Sequence, residues 1–194
     1  MKHLRPALSL FLLLTVLTGL IYPLAVTGLA QALFPWRANG SLLAVDGHAV
    51  GSALIGQNFT TPGDFWGRPS ATSPYPDNAQ ASGGSNLGPT NPALIDAVQA
   101  RIAALRAADP DNHAPIPVDL VTASGSGLDP QISLAAAYYQ APRVARARHL
   151  PLAEVKVLIA KTARQPWLNL FGTPRVNVLE LNLALNALHA EHID

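Results

Sequence analysis

Ala7–Phe34 reads ALSLFLLLTVLTGLIYPLAVTGLAQALF, 28 residues without one Asp, Glu, Lys or Arg. About 20 apolar residues suffice to cross the hydrocarbon core of a bilayer, so the stretch is expected to be a transmembrane helix. It divides the chain into a short tail (1–6), a span (7–34) and a soluble region (35–194). Lys2 and Arg5 precede the span, whereas Arg37 is the one basic residue in the thirty that follow. That bias places the tail in the cytoplasm and the soluble domain outside it. A cleaved signal peptide is the competing reading, because Ala30-Gln31-Ala32 has the small-x-small form of a cleavage site. The apolar run is, however, about twice the ~7 to 15 residues of a usual signal core. Pro23 removes a backbone donor near the middle of the span, a break that neighbouring helices commonly make good in lipid.

The soluble region is long enough for one domain with its own core. Setting aside Lys2 and Arg5, 23 charged residues remain in 160, about 14%, against roughly 25% in ordinary soluble chains. A surface covered by partner proteins accounts for this, and so does an alanine-rich compositional bias. With 11 basic and 12 acidic residues in that region, net charge argues against nucleic acid as a partner. Cysteine is absent, which excludes disulfides and thiolate metal sites.

Elements alternate in type along this region. Asp46-Gly47 between β-prone runs is a two-residue hairpin signal. Residues 60–92 are rich in Pro, Gly, Ser, Thr and Asn, and an irregular segment of this length is usually functional or partner-bound. Asn91-Pro92 reads as a helix cap and first turn, with Leu94, Ile95, Val98, Ile102 and Leu105 forming a stripe at helical spacing that ends near Asp109-Pro110. PVDLVTA (117–123) alternates as a half-buried strand would. Asp129-Pro130 is expected to open a helix running toward Pro142, with Arg143, Arg146 and Arg148 on a further segment. Pro151 starts another helix, with Leu152, Val155, Leu158 and Ile159 inward, and Val178, Leu181, Leu185 and Leu188 mark a last one. The expected fold class is a single N-terminal transmembrane helix followed by a small mixed α/β (α+β) soluble domain.

Chemistry is sparse. VTASGSGLDPQIS (121–133) has the outline of strand, glycine loop and helix start, a junction that favours an anion, and Ser124, Gly125, Ser126 and Gly127 are its candidate nucleotide-binding residues. It lacks the Lys-Ser/Thr pair of a phosphate loop, and a structural turn in which Asp129 caps the helix is the alternative. In SGGSNLGP (82–89), Ser82, Gly83, Gly84, Ser85 and Asn86 are candidate partner contacts, with Gly83, Gly84 and Gly88 expected to supply positive φ. Arg68, in FWGRPSAT (65–72), is held for an anion or a partner carboxylate, or else for an ion pair within the domain. Arg143, Arg146 and Arg148, with Arg175, are open to the same two readings, an anionic lipid or acidic partner patch against an ordinary solvated face. His189 and His192 have no third metal ligand at a usual spacing.

GSALIGQNF, FWGRPSAT, SGGSNLGPTNP, PVDLVTASGSGLDP, RVARAR and RVNVLELNLAL, in this order after a single span, resemble the C subunit of the Kdp-type potassium-transporting P-type ATPase over nearly the whole chain. One departure is Gln131, where many members of that family have His. The resemblance implies a bacterial inner-membrane complex. In it, a channel-like subunit carries the potassium pathway, a P-type subunit hydrolyses ATP, and a small membrane subunit completes the assembly. The C subunit is the accessory, assembly-stabilising member. This chain has no Asp-Lys-Thr-Gly phosphorylation motif, so potassium and ATP are handled by the complex and no cofactor is expected here. The family also implies nucleotide binding that raises the ATP affinity of the catalytic subunit, which conflicts with a domain outside the cytoplasm, where ATP is scarce. An independent membrane-anchored ligand-binding or hydrolytic domain is the rival function.

Overall fold

The computed structural model describes residues 3–166 and 172–191. The chain forms two compact units, Met1–Ser52 and Ala53–Asp194.

In the first unit one continuous apolar helix of 30 residues runs from Leu4 to Leu33, with an 18-residue stretch of mean hydropathy 2.1. It comprises α1 (Leu4–Val16), a π turn (Leu17–Ile21) and α2 (Tyr22–Leu33). The π turn sits directly ahead of Pro23, whose ring opposes the carbonyl four residues back. Widening the helix by one residue there relieves that opposition without breaking the helix. A single turn, α3 (Pro35–Ala38), follows, and the Trp36 indole N–H donates to the Leu42 carbonyl at 2.9 Å. Strands β1 (Leu42–Val45) and β2 (His48–Ser52) pair antiparallel with Val45 opposite His48. Asp46 and Gly47 take φ of 50° and 78°, the positive values that a tight hairpin turn demands at both central residues.

Among its described residues the second unit is helical, with one very small sheet. Helix α4 (Pro92–Ala108) starts as expected, with the Asn91 side chain accepting from the Ala93 N–H. Only Leu105 of its stripe is buried; Val98 and Ile102 pack partly against the core, and Ile95 is about half exposed. Strands β3 (Gln131–Ser133) and β4 (Arg175–Asn177) pair antiparallel, Ile132 opposite Val176. Each strand runs straight into a helix capped by its own last residue. Ser133 Oγ accepts from the Ala136 N–H to start α5 (Leu134–Arg148), and Asn177 Oδ1 accepts from the Glu180 N–H to start α7 (Val178–Glu191). Between them lies α6 (Leu152–Thr162). The core is Ala136, Ala137, Ala141 and Val144 of α5, Val155 and Ile159 of α6, and Leu181 and Leu185 of α7, closed by Phe65.

Three local expectations are corrected. PVDLVTA is a short 3-10 turn, Val118–Leu120. Its apolar residues are not alternately buried: Val118 is exposed, while Leu120 and Val121 are buried side by side. The Asp119 carboxylate accepts from the Ser133 N–H and hydroxyl, which fixes this turn beside β3. Asp129-Pro130 opens a strand, the Asp129 carboxylate accepting from the Gln131 N–H in a local turn. The helix then starts one cap later and passes through Pro142, so Arg143, Arg146 and Arg148 lie on the same helix. Interior proline costs about 3 kcal/mol, and the eight buried side chains from Ala136 to Ala145 offset it. The helix ends on His149 at φ 56°, with the Leu150 N–H donating to the Ala145 carbonyl, a closure more often made by glycine.

Candidate functional site

The irregular segment 53–91 is held to the helices by side chains that replace a neighbouring strand. The Phe65 N–H donates to Asn182 Oδ1 at 2.8 Å and the Phe65 carbonyl accepts from Asn182 Nδ2 at 3.0 Å. Trp66 repeats the pattern with Gln140, at 2.8 and 3.1 Å. Two carboxamides on α7 and α5 thus satisfy four backbone groups that burial would otherwise leave unpaired. Arg143, 4% exposed, reaches the same stretch. Its guanidinium donates to the carbonyls of Thr61, Pro62 and Asp64 and to Gln140 Oε1, and it lies 4.5 Å from the centroid of the Trp66 ring. Burial pushes its pKa down to about 10, against the opposing pull of Asp109 and Asp64. Arg148 pairs with Asp64 at 2.6 Å, and Arg146 pairs with the buried Asp109. Each of the three arginines of α5 is therefore paired within the unit, Arg143 buried and Arg146 exposed, and they do not form an unpaired basic face. His192 lies outside the described residues, so the histidine pair is not placed.

The two glycine stretches lie against each other. The Gly83 N–H donates to the Ser126 carbonyl at 2.8 Å, and the Ser82 hydroxyl donates to the same oxygen at 3.0 Å. A Cβ on Gly84 would stand 3.0 Å from the Gly125 carbonyl oxygen. Gly127, at φ +67°, would place one 2.5 Å from Thr72 Cγ2 and 2.7 Å from the Gly83 oxygen. The positive φ expected at Gly83, Gly84 and Gly88 is absent, and among these loop glycines Gly127 carries it. Gly84 is instead required by close approach of two backbones. Ser70 ties the pair to the rest of the segment: its hydroxyl donates to the Gly127 carbonyl at 2.7 Å and accepts from the Asp77 N–H at 2.9 Å.

No helix follows Ser124–Gly127, since β3 does, so the strand, loop and helix outline is not realised. Ser124 is buried, its N–H donating to the Pro69 carbonyl. Gly125 and Ser126, together with Ser82, Ser85 and Asn86, form the exposed rim of the paired loops. Arg68 lies at their base, not on the rim. Its guanidinium pairs with Asp129 at 3.1 Å and donates to the Ala123 carbonyl at 3.3 Å, bracketing the SGSG stretch from both ends. On one side of Arg68 is a cleft of about 260 Å³, lined in part by Gln57, Trp66, Asp77 and Arg101. Burial raises the pKa of Asp77 and lowers that of Arg101. On the other side is a shallower groove of about 480 Å³ that reaches Asp119, Gln131 and Arg175. The sequence reading missed Gln140, Asn182 and Ser70. For the first two the signal was present as a polar residue inside an apolar helical stripe, in AAAYYQAPRV and LELNLAL.

One long apolar helix, followed by a loop-rich unit whose buried polar groups are largely spent on holding its own loops, defines a single-span membrane protein with a shaped extramembrane surface. The family model described as K+-transporting ATPase, c chain, matches residues 4–187. The chain belongs to that family. It is 70% identical over 185 residues to the potassium-transporting ATPase KdpC subunit of Polaromonas naphthalenivorans, covering 95% of this chain and 94% of that one. Against the KdpC subunit of Variovorax paradoxus it is 67% identical over 183 residues, 94% of this chain and 95% of the other. The chain is thus an accessory subunit of a potassium uptake pump, as the sequence resemblance implied.

Proposed function

We propose that this chain is a docking subunit: its helix lies in the bacterial inner membrane with the N-terminus in the cytoplasm, and its soluble unit rests in the periplasm against the channel-like subunit. The P-type catalytic subunit and a small membrane subunit complete the assembly, and they handle ATP and potassium. The observation that carries this reading is the paired glycine loops. Two backbones are pressed together and bracketed by Arg68, which presents Ser82, Ser85, Asn86 and Ser126 as a fixed polar rim suited to a protein partner. In this reading Ser124–Gly127 supports the rim instead of cradling a nucleotide, and Arg68 acts through the loops that it braces.

The test is crosslinking in the assembled pump, with a short photoreactive group at Asn86 or Ser126 of the full chain. Adducts with the channel-like subunit are expected at both positions. Labelling by solvent alone at both would contradict docking through this rim.

A further inference from the structure

The backbone of the span is short of hydrogen-bond donors at one depth. In the π turn the Tyr22 N–H donates to the Leu17 carbonyl, five residues back. Helix α2 resumes with Ile21 as its N-terminal flank, and the carbonyl of such a residue takes the first α-type bond, here from Ala25. The carbonyls of Thr18, Gly19 and Leu20 lie between these two. The nitrogens available to them are those of Pro23 and Leu24, and proline carries no N–H. One donor therefore faces three acceptors, and two carbonyls go without. The Thr18 hydroxyl does not make up the deficit, because it donates to the Leu14 carbonyl at 2.7 Å.

In hydrocarbon no water replaces a missing donor, and spanning segments keep such carbonyls only where protein or a wet cavity satisfies them. At 1.5 Å per residue, Gly19 stands roughly 20 Å along the axis from either end of the helix, too deep for lipid headgroups, and acyl chains carry no donor. Access is open at this depth: a Cβ on Gly19 would meet nothing within 4 Å, so the chain by itself does not require glycine there.

We propose that the Thr18–Leu20 carbonyls are the docking point for a transmembrane helix of another pump subunit. That helix lays a hydroxyl or carboxamide side chain across Gly19 and donates to them. This deepens the reading of the chain as a docking subunit and rests on it. A second copy of this chain packed in register is the less suitable occupant, since the hydroxyl that it would bring nearest to Gly19, that of Thr18, is already engaged with Leu14.

The test uses the full chain coexpressed with the other pump subunits, and reads its retention on an affinity-tagged catalytic subunit as detergent is raised. Gly19→Leu closes the approach to the carbonyls. Leucine is a better helix former than glycine, so this variant keeps the span helical, which circular dichroism of the purified chain verifies. Retention is expected to weaken by about three- to twenty-fold, the range of one interhelical hydrogen bond, while Leu10→Ala, nearer the helix end, leaves it unchanged. Because the chain has no cysteine of its own, Gly19→Cys gives a single crosslinking position. Its adduct is expected within one turn of a Ser, Thr, Asn or Gln in a span of another subunit. Unchanged retention of Gly19→Leu, or adducts confined to lipid, to apolar stretches or to a second copy of this chain, would overturn the proposal while leaving the docking role standing. Failure of the unaltered chain to be retained at all would sink the docking role, and this proposal with it.

Discussion

Replacing Arg143 with methionine keeps most of the aliphatic stem and removes the guanidinium that binds residues 61–64 to α5. The wild-type group donates at 2.8 Å to Gln140 Oε1, at 3.0 Å to the Asp64 carbonyl, at 3.3 Å to the Thr61 carbonyl and also to the Pro62 carbonyl. Thr61 and Pro62 are exposed, so water takes over at their carbonyls and their loss costs little. The Asp64 carbonyl is more enclosed, and an acceptor stranded there costs about 1 to 3 kcal/mol; Gln140 Oε1 keeps the Trp66 N–H and loses one charge-assisted bond, about 1.5 kcal/mol. Loss of the stacking on Trp66 adds about 1 kcal/mol. Against these stands relief from desolvating the charge, the effect that pushes its pKa down to about 10. The net expectation is a loss of about 3 kcal/mol. For a unit of roughly 140 residues, each kcal/mol moves the midpoint by about 4 °C, so calorimetry of the full chain in detergent should show the soluble unit melting about 10 to 12 °C lower. Arg143→Lys keeps the charge without the planar fork and should recover less than half of that. A shift under about 2 °C for the methionine variant, or full recovery by lysine, would refute the claim that this fork fastens the segment.

Gly84→Ala should destabilise the unit by about 1 to 2 kcal/mol in urea titration, because its Cβ meets the Gly125 backbone. Gly83→Ala, whose nearest neighbour would be 4.0 Å away, should stay within about 0.5 kcal/mol of wild type. Gln140→Leu strands the Trp66 N–H and carbonyl and should cost about 2 to 4 kcal/mol, with new proteolytic cleavage between Thr60 and Trp66. Burial raises the pKa of Asp77 above its ordinary 3.8, so the stability linked to its protonation is complete below 3.8 and is lost as pH rises through the folded value. Asp77→Asn should therefore melt higher than wild type at pH 7, and that advantage should shrink as pH falls toward 3.8.

What the sequence disclosed was governed by range. The span, the Asp46-Gly47 hairpin and the Asn91-Pro92 helix start depend on neighbours within a few residues, and each is found where composition and capping placed it. Strands β3 and β4 are three residues long and turn at once into helices, too short for alternation to register, so Asp129-Pro130 looked like a helix start. PVDLVTA alternated by chance of composition, and a carboxylate bond from Asp119 to Ser133 decided its shape. The least legible feature was the pairing of Phe65 with Asn182, 117 residues apart in sequence, and of Trp66 with Gln140, 74 apart. Nothing local signals which backbone a buried carboxamide will satisfy. The candidate rim was legible as two glycine stretches, but not as one surface, because a contact between separate loops appears only in three dimensions.

The docking role proposed for this chain requires an uncleaved span that holds the soluble unit on the outer side of the inner membrane. Alkaline phosphatase, active only outside the cytoplasm, fused after Asp194 tests it in one assay. Enzyme activity confined to the membrane fraction, on a fusion of full length, is expected. An inactive fusion, or an active one released in soluble form and shortened by the span, would contradict it.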